Sequence, residues 1–151
     1  MSLTKKIKRE KVQVVVLFSR SNSFDILLLQ TNEKRGSFWQ NVTGGVDFED
    51  ENQLAAAARE VEEEIGIKPL KLFDINLDFF FTDKWETDVF EKSYLALFSE
   101  HDKKHITLDP KEHRDFKIKS INKIETSDYQ YESNYKAFRK SVSFLEEEGL
   151  L

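Results

Sequence analysis

The sequence predicts an α/β domain, with a mixed sheet layered against helices. Three observations carry that expectation. Short β-branched and apolar runs, bounded by polar turns, fill residues 12–45 and 70–121. One strongly helical segment interrupts them near residues 51–65, and an amphipathic one closes the chain at 131–148. Strands interleaved with helices argue for layers sharing one core. A chain of 151 residues, 39% hydrophobic, suffices for one domain and is short for two, so residues 1–151 read as a single domain.

Each element has a local reason. Lys5, Lys6, Lys8, Arg9 and Lys11 form a basic cluster, and residues 1–10 read as a frayed solvated arm. Val12 to Phe18 reads as a strand buried on both faces. Ser19 to Ser23 is a turn, and Asp25 to Gln30 a second strand that closes a hairpin. Thr31 to Ser37 is a polar loop. Phe38 to Gln40 forms a short strand leading to Thr43, Gly44 and Gly45. Leu70 to Phe81 and Val89 to Phe98 are two strands joined through a polar loop at 83–88. Ser99 to Pro110 is a loop and Phe116 to Ile121 a weak strand. Tyr135, Phe138, Val142 and Leu145 then recur at helical spacing.

The central helix is expected from about Glu51 to Ile65. Asp50 is a good N-cap, with Gln53 three residues on as in a capping box. Leu54 and four alanines favour helix, Gly66 suits the left-handed residue that ends one, and Pro69 cannot continue it. At about 100° per residue, Leu54, Ala58, Val61 and Ile65 form an apolar stripe. Glu60, Glu63 and Glu64 fall together beside it, while Glu62 points to solvent.

Three like charges on one face repel, and a divalent cation is the natural remedy. The charge balance agrees. Residues 45–67 hold eight of the 28 acidic residues and one of the 23 basic ones, so the net −5 is −7 there against +2 elsewhere. The acidity is local, as a cation site requires.

With no cysteine in the chain, disulfides and thiolate metal sites are excluded. The longest apolar run, Val14 to Phe18, is too short to span a bilayer. The basic start lacks the apolar stretch of a secretory leader, so a cytoplasmic location and no membrane partner are expected. His101 and His105, among lysines and aspartates, read as surface residues.

Gly45 to Ile67 matches the spacing G-x5-E-x7-R-E-U-x-E-E-x-G-U at every fixed point, U being a bulky aliphatic residue. Here the chain resembles the Nudix hydrolases. The resemblance implies an α/β/α sandwich with a loop-helix-loop motif, and hydrolysis of a phosphoanhydride aided by magnesium or sometimes manganese. By position it implies Glu60, Glu63, Glu64 and the Gly44 carbonyl as metal ligands. It gives Gly45, Glu51, Arg59 and Gly66 the task of holding the motif together, with the Arg59 fork on a carboxylate. The general base is Glu60 or Glu112, the latter in a Glu-His pair ahead of the aromatic Phe116.

Phe38-Trp39-Gln40-Asn41-Val42-Thr43-Gly44 also resembles a stretch of the bacterial dihydroneopterin triphosphate pyrophosphohydrolases, as do Glu112-His113 and Ser133-Asn134. This implies a pterin triphosphate substrate. Trp39, Gln40, Phe81 and Trp85 are the candidate substrate-binding residues. Phe79 to Phe81 also read as core packing, with Phe80 opposite the other two. A general nucleoside triphosphate pyrophosphatase, an RNA 5′-end pyrophosphohydrolase and a non-catalytic binding module are the alternatives. The +2 outside the motif is too small for a nucleic-acid footprint, so a small-molecule partner is expected.

Overall fold

Strand β1 (Lys8–Arg20) is the spine of the molecule, and Val12 to Phe18 are all buried because both of its faces are covered. In the computed structural model, residues 8–151 are described; Lys5 and Lys6 of the basic cluster lie outside them. Lys8 and Arg9 do not belong to a frayed arm. They already pair in a ladder, opposite Asp88 and Val89. The following elements are β2 (Ser23–Thr31), β3 (Trp39–Gln40), β4 (Val42–Gly45), α1 (Gln53–Ile65), β5 (Lys71–Thr82), β6 (Asp88–Phe98), β7 (His113–Ser120) and α2 (Glu132–Glu147). The expected strands and helices are all present, most of them longer by one to four residues at an end.

The sheet is mixed. β1 runs parallel to β6, and the other pairings are antiparallel. Its main path is β3-β2-β1-β6-β5, with β4 on β1 and β7 on β2. The β1–β2 hairpin pairs only from Leu17 and Ile26 to its turn. Beyond that the strands splay, and the segment 39–45 enters the gap. β3 pairs with β2 at Leu29 and Gln30, and β4 pairs with β1 from Lys11 to Val14. This fork brings Asn41, Thr43 and Gly44 to the centre of the molecule.

Alternation along β1 divides the core in two. Val12, Val14, Val16 and Phe18 pack with Ala57, Val61 and Ile65 of α1. Val15 and Leu17 pack with Ala137, Phe138 and Leu145 of α2. Helices therefore cover both faces, as an α/β/α sandwich requires. Among the described residues, no helix is long and apolar enough to cross a membrane.

Helix α1 starts two residues later than its sequence suggests. Asn52 is the N-cap, its side chain accepting from Ala55 N at 2.8 Å. Asp50 is instead held by Arg59. The helix is also rotated from the expected stripe. Leu54 is 45% exposed, and the buried face comprises Ala56, Ala57, Glu60, Val61, Glu64 and Ile65. The apolar count alone favoured Leu54. On the side turned to the sheet, Glu60 packs against Gly44 of β4 and Glu64 meets His113 of β7. Gly66 ends the helix at φ 77°, its N–H bonding Glu62 O.

Candidate active site

The acidic motif is organised by one guanidinium. Arg59 Nε and Nη2 donate to the two carboxylate oxygens of Asp50 at 2.9 and 2.8 Å, a fork-on-fork pair. Nη2 also donates to Gly45 O at 2.9 Å, which ties the loop before α1 to the helix. The carboxylate that meets the fork is thus Asp50. Glu51, which the resemblance gives a part in holding the motif together, is exposed. It precedes the cap Asn52 on the solvent side of the turn, where the fork does not reach. The Arg59 hydrogen bonds hold the Asp50 carboxyl below its usual range, and Asp50 in turn raises Arg59 further above its own.

Arg59 Nη1 donates to Glu60 Oε1 at 2.9 Å and to Glu63 Oε2 at 3.1 Å. Glu60 is buried, and burial pushes its carboxyl up to about 7 despite the guanidinium. It packs against Gly44, where a Cβ would fall 1.9 Å from Glu60 Cδ. Only glycine permits this approach. Gly44→Ala is therefore expected to displace the Glu60 carboxylate and not to unfold the chain, since the obstructed group is the end of a side chain. Its melting temperature should fall by a few degrees while turnover falls by about 10²-fold or more. Differential scanning fluorimetry beside an activity assay checks both.

Glu64 faces the sheet. His113 Nδ1 lies 2.6 Å from Glu64 Oε2, and both side chains are almost wholly buried. His113 Nε2 lies 3.0 Å from the Gln40 amide nitrogen. With that amide donating, the imidazole carries its proton on Nδ1 and donates it to Glu64. The chain Gln40–His113–Glu64 therefore orients one of the three glutamates. The sequence drew attention to Glu112-His113 for a base; the structure gives the histidine of that pair a positioning contact. Glu112 itself is on the surface, paired with Arg35 at 3.2 Å.

Glu60 and Glu64 thus share the buried edge of α1, with the exposed Glu63 between them. The donors are hard oxygens, the kind that Mg²⁺ takes, and the glycine at 44 makes room for the Glu60 carboxylate itself. Among the described residues, no three acidic or histidine side chains converge on one point. A bound ion would exchange with the Arg59 Nη1 bonds to Glu60 and Glu63.

A second feature adjoins the first at β4. Thr43 lines a cleft of about 770 Å³, while the next residue, Gly44, abuts Glu60. Phe38, Phe79, Phe81, Trp85 and Tyr131 supply rings to the cleft; Lys11, Lys34 and Arg35 supply positive charge. Phe38 and Tyr131 meet edge to face at 5.3 Å. Gln40, Phe81 and Trp85 fall in this cleft as the sequence suggested. Trp39 does not line it. Strand alternation turns its ring onto the second core, where Lys117 Nζ lies 4.2 Å over it. The ring that faces the cleft is that of Phe38. The Phe79 to Phe81 run is not core: Phe80 is 80% exposed, lies against Phe90 and also borders the cleft. His101 and His105 are exposed, with their Nε2 atoms 3.3 Å apart.

Gln13, Glu91 and Tyr129 were not singled out from sequence. A buried relay runs from Tyr129 OH to Asn41 Oδ1, from Asn41 Nδ2 to Gln13 Oε1, and from Gln13 Nε2 to Glu91 Oε1, at 2.8, 2.8 and 2.9 Å. Asn134 Oδ1 accepts from Asn41 N at 2.8 Å. The available signal was polar residues in phase with buried positions, Gln13 inside the Val12–Phe18 run and Glu91 two residues after Val89.

The NUDIX domain model matches residues 8–140, and the chain belongs to that family. Three solved structures illustrate the shared fold. An Ap4A hydrolase of C. elegans, in a binary complex, is 23% identical, with a TM-score of 0.75 over 91% of this chain and 98% of that one. The NUDIX domain of Shewanella oneidensis NrtR, complexed with ADP ribose, is 16% identical, with a TM-score of 0.74 over 93% and 90%. The dihydroneopterin triphosphate pyrophosphohydrolase of E. coli is 24% identical, with a TM-score of 0.69 over 89% and 97%. Among curated proteins, an octanoyltransferase of Myxococcus xanthus is 39% identical over 57 residues. That match spans 38% of this chain and 16% of the octanoyltransferase.

Proposed function

We propose that this protein is a divalent-cation-dependent hydrolase of phosphoanhydride bonds, whose substrate is a triphosphate carrying a planar ring. The best-fitting substrate is a pterin such as dihydroneopterin triphosphate, cleaved to a monophosphate and pyrophosphate. The observation that carries the reading is the junction at Thr43 and Gly44, where Glu60 of α1 abuts one residue and a cleft of rings and cations the other. Family membership supports the reaction class, and the Phe38 to Gly44 resemblance supports the ring.

Glu60, Glu63, Glu64 and the Gly44 carbonyl would hold Mg²⁺ or Mn²⁺, which polarises phosphoryl oxygens and lowers the pKa of a bound water. Arg59 and His113 set the orientation of those carboxylates. Lys11, Lys34 and Arg35 attract the phosphates, and the aromatic rings hold the heterocycle.

The base is Glu60 or Glu112, and one substitution separates them. Glu112 is held on the surface by Arg35 and stands off α1. If it takes the proton from water, Glu112→Gln lowers kcat by about 10²–10⁴-fold with magnesium affinity unchanged. Activity within a few fold of the parent assigns the base to Glu60.

A substrate panel with magnesium tests the reading, with products identified by mass. It comprises dihydroneopterin triphosphate, dNTPs, dinucleoside polyphosphates, ADP-ribose and 5′-triphosphorylated RNA. The pterin is expected to give the highest kcat/KM, with release of pyrophosphate. Another substrate leading it by more than about tenfold overturns the substrate but not the class. No cleavage of any panel member overturns the hydrolase reading.

A further inference from the structure

Glu91 is a carboxylate buried in the wall of the aromatic cleft, only 5% exposed. Phe79, Glu91 and Lys11 are register partners across β5, β6 and β1, so their side chains form one row on the cleft side of the sheet. Burying a carboxylate is costly unless it is paired and hydrogen-bonded. Among the described residues, Gln13 Nε2 is its hydrogen-bond donor, at one oxygen. A carboxylate can accept about four hydrogen bonds. Burial raises its carboxyl above the usual range, and Lys11 beside it and the Gln13 hydrogen bond oppose that shift. The Tyr129–Asn41–Gln13 relay fixes which end of the Gln13 amide points at Glu91, so the carboxylate is held in place.

We propose that Glu91 selects the ring, its carboxylate accepting from the adjacent ring N–H and exocyclic amine of a 2-amino-4-oxo heterocycle, the edge common to guanine and the pterins. This rests on the reading of the cleft as the ring site. The chemistry discriminates sharply. Adenine and cytosine set an amine beside an unprotonated ring nitrogen, which a carboxylate oxygen repels. Uracil and thymine flank one N–H with two carbonyls. The 2-amino-4-oxo edge offers two parallel donors to two acceptors.

The test is equilibrium binding of GMP, IMP and AMP by calorimetry, without added metal, to the parent chain and to Glu91→Gln. The parent is expected to bind GMP about 10–100-fold more tightly than AMP, the usual worth of a bidentate base contact. IMP, which differs from GMP only in lacking the 2-amino group, is expected to bind at least several-fold more weakly than GMP. This arm needs no variant. In Glu91→Gln the GMP-to-AMP ratio is expected to fall at least tenfold. A parent that binds none of the three, or that does not prefer GMP, overturns the proposal. So does a folded Glu91→Gln that keeps the parent's ratio. Since no cleavage is read, these outcomes bear on ring recognition in the cleft; an inactive turnover panel bears on the hydrolase reading.

Discussion

Glu63→Gln combined with Glu64→Gln is expected to lower turnover by about 10³-fold or more, a loss of roughly 4 kcal/mol of transition-state stabilisation. The protein should remain folded. Glutamine matches glutamate in size, Glu63 is largely solvated, and the amide oxygen introduced in place of the Glu64 carboxylate can still accept from His113 Nδ1. Removing two of three neighbouring negative charges also relieves repulsion along α1. What disappears is the charge of two of the three glutamates that line one side of α1, Glu63 on Arg59 and Glu64 on His113. A ligand that binds the native state raises its melting temperature by mass action. The parent is therefore expected to gain stability on adding Mg²⁺, and the double variant to gain little. Steady-state kinetics and melting curves with and without Mg²⁺ check both statements. Substantial residual turnover in the double variant would remove these glutamates from the mechanism.

The largest expected effect on stability is that of Asn41→Ala. Asn41 sits where β1 and β2 splay, outside any strand, and is almost fully buried. Its side chain donates to Gln13 Oε1 and Asn134 O and accepts from Tyr129 OH. Alanine leaves all three partners buried without it. At about 1–3 kcal/mol for each unsatisfied group, offset by some relaxation, the loss is about 3–5 kcal/mol. For a chain of this size that lowers the melting temperature by about 10 °C. Thermal denaturation followed by circular dichroism measures it; a drop below about 3 °C would mean that water replaces the side chain freely. Because the relay ends at Glu91, selectivity among rings should suffer even below the melting temperature.

Much of this architecture was legible in the sequence, for a definite reason. Val12 to Phe18 announces itself as a continuous β-branched apolar run, and the α1 segment through helix-forming residues and its terminal Gly66. The acidic motif was legible because its meaning lies in spacing along one helix. What escaped was set by long-range contact. Asp50 and Asn52 are both good caps, and only the Arg59 fork, nine residues on, decides between them. The rotation of α1 away from Leu54 sets Glu60 against Gly44 and Glu64 against His113, which are distant in sequence. Trp39 was the candidate pocket ring, and the β3–β2 pairing turns it onto the second core and leaves Phe38 to face the cleft. Glu91 carried no motif, and its place is defined by β-sheet register with Lys11 and Phe79.

On the proposed function, the α1 carboxylates act through a divalent cation on a phosphoanhydride. The most direct measurement is turnover of the best panel substrate by one enzyme sample, first with Mg²⁺, then with excess EDTA, then with Mg²⁺ restored. Activity is expected to vanish in the chelator and to return with the metal, with pyrophosphate and a monophosphate as products. Full activity in EDTA would contradict the account.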